Sequence, residues 1–204
     1  MWIMNIVWPI TALYGGPLAL WLYFAHARST RSMHNSGNGN QSHGQKQEPP
    51  PFIAYATATT HCGSGCALGD VISETAIYFF PVILMWLGYK RLWNEPIFSS
   101  WVLDFILAFL LGIAFQYFTI TPMKHLSPGR GLVAAVKADS LSLTAWQIGM
   151  YGWMAIATFL LFKHEIPKNS PVFWFMMQLA MLVGFCTAFP VNVWLVRSGI
   201  KERM

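Results

Sequence analysis

The stretch His61-Cys-Gly-Ser-Gly-Cys-Ala-Leu-Gly-Asp-Val-Ile-Ser-Glu74 decides how the chain is read. It lies where a polar segment gives way to an apolar one. Cys62, Cys66, Asp70 and Glu74 recur every four residues. On a helix, each lies one turn beyond the last on a slowly drifting face. Two thiols and two carboxylates are thus carried from a membrane edge towards the bilayer interior. Ionisable groups at that depth are costly and usually have a functional reason.

The rest of the chain fits that setting. Of its 204 residues, 55% are hydrophobic and 10% charged, against roughly 25% charged in a soluble domain. Several long apolar runs predict an all-α polytopic membrane bundle of about five transmembrane helices plus one short interfacial helix. The net charge of +5 is no nucleic-acid signal. The basic residues cluster at the ends of apolar segments, where topology determinants sit. The partner they imply is the lipid bilayer.

Three regions follow. Residues 1–28 read as a transmembrane helix kinked at Pro17. Residues 29–59 read as a flexible polar linker, rich in Ser, Asn, Gly, Gln and Pro. Residues 60–204 read as a four-helix membrane domain. Its helices are expected at about 66–89 with a kink at Pro81, 100–120, 141–162 and 170–196. A short interfacial helix is expected within 126–139, with Asp139 or Ser140 capping the helix after it. Ser170-Pro171 is a strong helix start, with Pro at the first helical position.

Orientation follows from charge. On five spans, Arg28, Arg31, Lys46, Lys124, Arg130, Lys137, Arg197, Lys201 and Arg203 share one side. Lys90, Arg91, Lys163 and Lys168 share the other. That asymmetry puts the N-terminus outside and the C-terminus in the cytoplasm. The His61 to Cys66 run then sits in a reducing compartment, where a close Cys pair reads as metal or redox chemistry.

The candidate metal ligands are His61, Cys62, Cys66, Asp70, Glu74, His125, Met150, Met154, Met177 and Met181. Thiolate with imidazole suits Cu(I) or Zn(II), and Gly63 and Gly65 permit a tight turn. The alternative is that the cysteines are small apolar packing residues. Asp70 and Glu74, one turn apart, repel unless a cation or proton sits between them. Met150 and Met154 on one helix, and Met177 and Met181 on its antiparallel neighbour, fall near mid-bilayer. Thioethers are soft Cu(I) ligands, and also ordinary core fillers. Asp104 reads as a carboxylate at a helix N-terminus.

The chain resembles a family of small bacterial membrane proteins catalogued as a domain of unknown function. The resemblance covers about 60–204. It rests on the His61 to Asp70 run, on Phe115-Gln-Tyr-Phe, on Lys137-Ala-Asp-Ser-Leu-Ser-Leu-Thr-Ala-Trp-Gln and on Pro171-Val-Phe-Trp-Phe-Met-Met-Gln. It implies a bacterial inner-membrane protein and no particular reaction.

The expected function is handling of a soft cation such as Cu(I), as a transporter or accessory factor served by a metal-delivery protein. Three rivals stand beside it. One is a proton or cation channel using Asp70 and Glu74; another is a membrane thiol-redox protein; the third is a structural subunit of a larger complex. No nucleotide-binding, serine-hydrolase, kinase or haem-attachment motif is present, so the residues do not point to an enzyme.

Overall fold

The structure, a computed structural model, describes residues 4–22, 24, 51–92, 94–124 and 127–201. His125 lies outside the described residues. So does most of the expected linker, with His34 and His43.

Helix α1 spans Met4–Leu22 and contains Pro9 and Pro17. Its break falls one residue before the expected kink, at Gly16 (φ 50°, ψ −136°). The residue before a proline is driven out of the helical region, and only glycine enters this one freely.

Helix α2, Pro51–Phe79, begins about fifteen residues earlier than its expected start near Cys66. The thread of Thr, Ser and Gly in its first half looks like a poor helix former. Here those residues serve contact. Thr59, Thr60 and Ser64 bond back to carbonyls three or four residues earlier, as mid-helix hydroxyls do. Ser64 also reaches Thr11 and the Val7 carbonyl on α1.

Phe80 and Pro81 interrupt the helix, and a short α3 (Val82–Trp86) follows. Thus Pro81 separates two helices instead of kinking one. Helix α4 runs Pro96–Lys124. Helix α5 runs Pro128–Ala155 and continues as a π-helical segment, Ile156–Phe162. The separate interfacial helix expected within 126–139 does not exist. Asp139 is not a cap; it lies fully buried in the middle of α5. Helix α6, Pro171–Arg197, starts where expected. The Ser170 hydroxyl accepts from the Phe173 amide at 3.1 Å. Ser170→Ala is expected to cost about 1 kcal/mol, measured as a lower thermal midpoint in detergent.

The helices form a bundle. α2 packs on α4 and α6, α5 packs on α4 and α6, and α1 lies against α2 and α6. Short connections make α4 antiparallel to both α2 and α5, and α5 antiparallel to α6. The contact between α2 and α4 is close. A Cβ on Gly69 would stand 2.5 Å from the Ala108 amide nitrogen, and one on Gly65 2.6 Å from the Gly112 Cα.

Polarity is inverted relative to a soluble protein. Leu13, Tyr78, Phe79, Trp86, Leu110, Ile148 and Leu160 face outward. His61, Asp70, Glu74, Asp104, Gln116, Asp139, Gln147 and Lys201 are buried. Among the described residues, three helices are long and apolar enough to cross a membrane, Pro96–Thr121, Pro128–Phe162 and Pro171–Arg197. An apolar exterior of that kind belongs in lipid.

Candidate functional site

The His61 to Glu74 stretch does not close into one cluster. Its fourteen residues cover roughly 20 Å of helix axis. Because α2 begins at Pro51, His61 lies nearly three turns inside the helix and not at its mouth.

His61 turns towards α4. Its Nε2 pairs with Thr119 Oγ1 at 2.8 Å, and its ring meets Phe115 edge-on. Its Nδ1 has no hydrogen-bond partner among the described residues. Cys62 follows one residue later, about 100° around the helix. Both Cys62 and Cys66 are reduced and fully buried. They pack in the cluster that holds Tyr14, Leu143 and Trp146. Among the described residues, no three His, Cys, Asp or Glu side chains gather as a metal-binding group. His61 thus faces α4, while Cys62 and Cys66 pack together in the cluster with Tyr14 and Trp146.

Further along α2 the helices bring together a set of charges. Asp70 and Glu74 are buried beside Asp104 of α4. Lys168, on the loop between α5 and α6, forms an ion pair with Glu74 Oε2 and donates to Ser100 Oγ at 3.3 Å. Glu74 and Asp104 thus share Lys168, and Asp70 lies beside both carboxylates. Gln147 faces Asp70 and Ser73 faces Asp104, both short of hydrogen-bond geometry. Neither oxygen of Asp70 has a hydrogen-bond partner among the described residues. The same holds for both polar atoms of Gln116 and Gln147.

Sequence reasoning missed Asp104 and Lys168. Asp104 carried a usable signal. Ser100, Asp104, Ala108 and Gly112 recur every four residues, and this small stripe faces the Gly65 and Gly69 stripe of α2. Lys168 carried none.

A pocket opens beside these charges. Glu74, Asp104, Met150, Met154, Met177 and Lys168 are among its lining residues, with Tyr151 and Ser100. Tyr151 is held by stacking on Trp101 at 4.8 Å and by donating to the Trp101 carbonyl at 2.9 Å. The pocket volume of about 20 Å³ accommodates one water-sized occupant. Met181 is buried in the same apolar cluster. Met150 and Met154 of α5 and Met177 of α6 thus line the pocket, with Met181 in the cluster beside them. At the pocket edge, partial burial holds the Glu165 carboxyl above its usual range. Lys168 opposes that rise, while Glu74 and Glu95 add repulsion.

The opposite end of the bundle holds a second buried pair. Lys201 Nζ donates to Asp139 Oδ1 at 2.6 Å and to Asn192 Oδ1 at 2.8 Å. Asn192 Nδ2 in turn donates to Ser142 Oγ at 3.2 Å. Gly199, with φ 71°, turns the chain after α6, and the Lys201 amide bonds back to the Leu195 carbonyl. The expected basic tail thus places Lys201 inside the protein.

No curated protein matches this chain. No solved structure matches it either. A family profile, described as a domain of unknown function (DUF4396), matches residues 53–201. That match runs from the first turn of α2 to the buried lysine after α6. The chain belongs to this family of unknown function.

Proposed function

We propose that the protein is a bacterial inner-membrane protein that passes a small cation through the bundle, with Asp70, Glu74 and Asp104 as its stopping place. In this reading α1 and α2 also span the bilayer, which gives five spans. The Lys and Arg asymmetry supports an N-terminus outside and a C-terminus in the cytoplasm.

One observation carries the reading. Three carboxylates lie buried near one another, Glu74 alone among them in an ion pair with Lys168, and Asp70 has no hydrogen-bond partner among the described residues. A permanent charge without a partner is not tolerated inside lipid. Such a carboxyl holds a proton or attracts a cation. Gln116, Gln147 and Ser73 lie on the same buried helix faces, with polar atoms that lack partners. They offer successive contacts to a passing ion or to water. The fixed pairs at the two ends, Glu74 with Lys168 and Asp139 with Lys201, bound this series.

The test is flux in proteoliposomes. A potassium diffusion potential set with valinomycin drives protons, and a trapped pH dye reports them. Wild type is expected to conduct above protein-free vesicles. Asp70→Asn keeps the shape and removes the acid, so flux should drop at least tenfold in a monodisperse protein. Equal flux from both would end the proposal, as would a wild type no faster than empty vesicles.

A second reading, soft-metal handling, draws support from the three thioethers of the pocket. His61, Cys62 and Cys66 lend it less, because His61 turns to Thr119 and Phe115 while the two cysteines pack in the cluster with Tyr14 and Trp146.

A further inference from the structure

We propose that the pocket beside Glu74 is a binding site for a soft monovalent cation of the Cu(I) type, held by the thioethers of Met150, Met154 and Met177. This deepens the cation-passing reading, on which it rests for the negative wall of the pocket, by adding a soft cation to the proton that the flux test follows.

The three methionines come from two helices, α5 and α6, and are each at most 4% exposed. All three line one pocket. A thioether carries no charge and is polarisable, which makes it a ligand for soft ions and a poor one for hard ions. Glu74 and Asp104 on the same wall supply negative charge to balance a positive occupant. The pocket has room for an occupant about the size of one water molecule, which a single ion satisfies.

Competing ions fit less well. Calcium takes six to eight oxygens, and magnesium demands six in a near-ideal octahedron. The lining does carry oxygens, from the carboxylates of Glu74, Asp104 and Glu165 and the hydroxyls of Ser100, Tyr151 and Thr158, but neither ion has a use for the three thioethers beside them. Zinc prefers thiolate and imidazole, and neither lines the pocket. The Lys168 ammonium lies against Glu74. It occupies the carboxylate that an incoming ion would use, as a tethered cation in the ion's place.

Core filling would also explain buried methionine, and two measurements separate the readings. Ag(I) serves as the probe, with the purified full chain in detergent. In a Cys62→Ser/Cys66→Ser/Cys186→Ser background, one Ag(I) per chain is expected by calorimetry. Adding Met150→Leu/Met154→Leu/Met177→Leu, which conserves volume, should weaken binding at least tenfold. Exposed Met85→Leu should leave it unchanged. Unaltered binding in the triple leucine variant would overturn the proposal.

The second measurement needs no substitution. Selenomethionine-labelled wild type with one equivalent of Cu(I) should give a selenium–copper shell in X-ray absorption. Its absence would overturn the proposal equally. Asp70-dependent flux with no silver or copper at methionine ends this inference alone. Methionine-held copper without any such flux ends the proposed function alone.

Discussion

Asp139→Ala is expected to destabilise the protein by about 3–5 kcal/mol, among the largest losses of any single side chain here. The reason is the burial of both partners. Lys201 and Asp139 have no exposed side-chain surface and stand 2.6 Å apart. Deleting the carboxylate leaves an ammonium inside the bundle with Asn192 Oδ1 as its remaining acceptor. Lys201 must then lose its proton or withdraw, undoing the turn at Gly199 that folds the chain back on α6. The double variant Asp139→Leu/Lys201→Met is expected to recover most of the loss. Replacing a whole buried pair by apolar groups is often neutral. Denaturation in detergent, followed by tryptophan fluorescence, measures both. If Asp139→Ala is as stable as wild type, the pair is not internal. If the double variant is as weak as the single, packing and not charge is responsible.

Gly69→Ala is expected to cost about 3 kcal/mol, at the top of the usual range for overpacking. The added methyl would stand 2.5 Å from the Ala108 nitrogen and 2.6 Å from its Cα. Backbone cannot rotate away as a side chain can, so α2 and α4 must separate. Membrane helices depend on such close approach, because lipid tails compete on equal terms with apolar side chains. The separation moves Asp70 and Glu74 on α2 away from Asp104 on α4. Both the thermal midpoint and the flux of a folded fraction should therefore fall. Gly152→Ala is the control, since no atom lies within 4 Å of its added Cβ. Equal stability of Gly69→Ala and Gly152→Ala would refute the close contact.

The readable and unreadable parts of the fold separate along a physical line. Apolar length announced the helices. Ser170-Pro171 announced the start of α6 because capping is local chemistry. The spacing of Met150 with Met154 and of Met177 with Met181 put each pair on one helix face, and antiparallel neighbours bring equal depths into one apolar cluster. The start of α2 was hidden because Thr and Gly are weak helix formers, retained here for contact with α1 and α4. Asp139-Ser140 resembles a cap in sequence. What overrides that resemblance is Lys201, 62 residues away, a partner that no local pattern reveals. Asp104 was read from its place in the first turns of a helix, whereas its neighbours across α2 govern its environment. His61 and Cys62 adjoin in sequence, and the turn of the helix sends them to different sides.

The unbroken rod from Pro128 to Phe162 has a geometric consequence. Its 35 residues reach about 50 Å at the usual rise, against a hydrocarbon layer of roughly 30 Å. Standing upright, it would overshoot the acyl chains by several turns; leaning, it trades height for tilt. Arg130 and Lys137 are exposed in the first three turns of this rod. The thickness of the surrounding bilayer thereby bears on the slant of the helix that carries Gln147, Met150 and Met154.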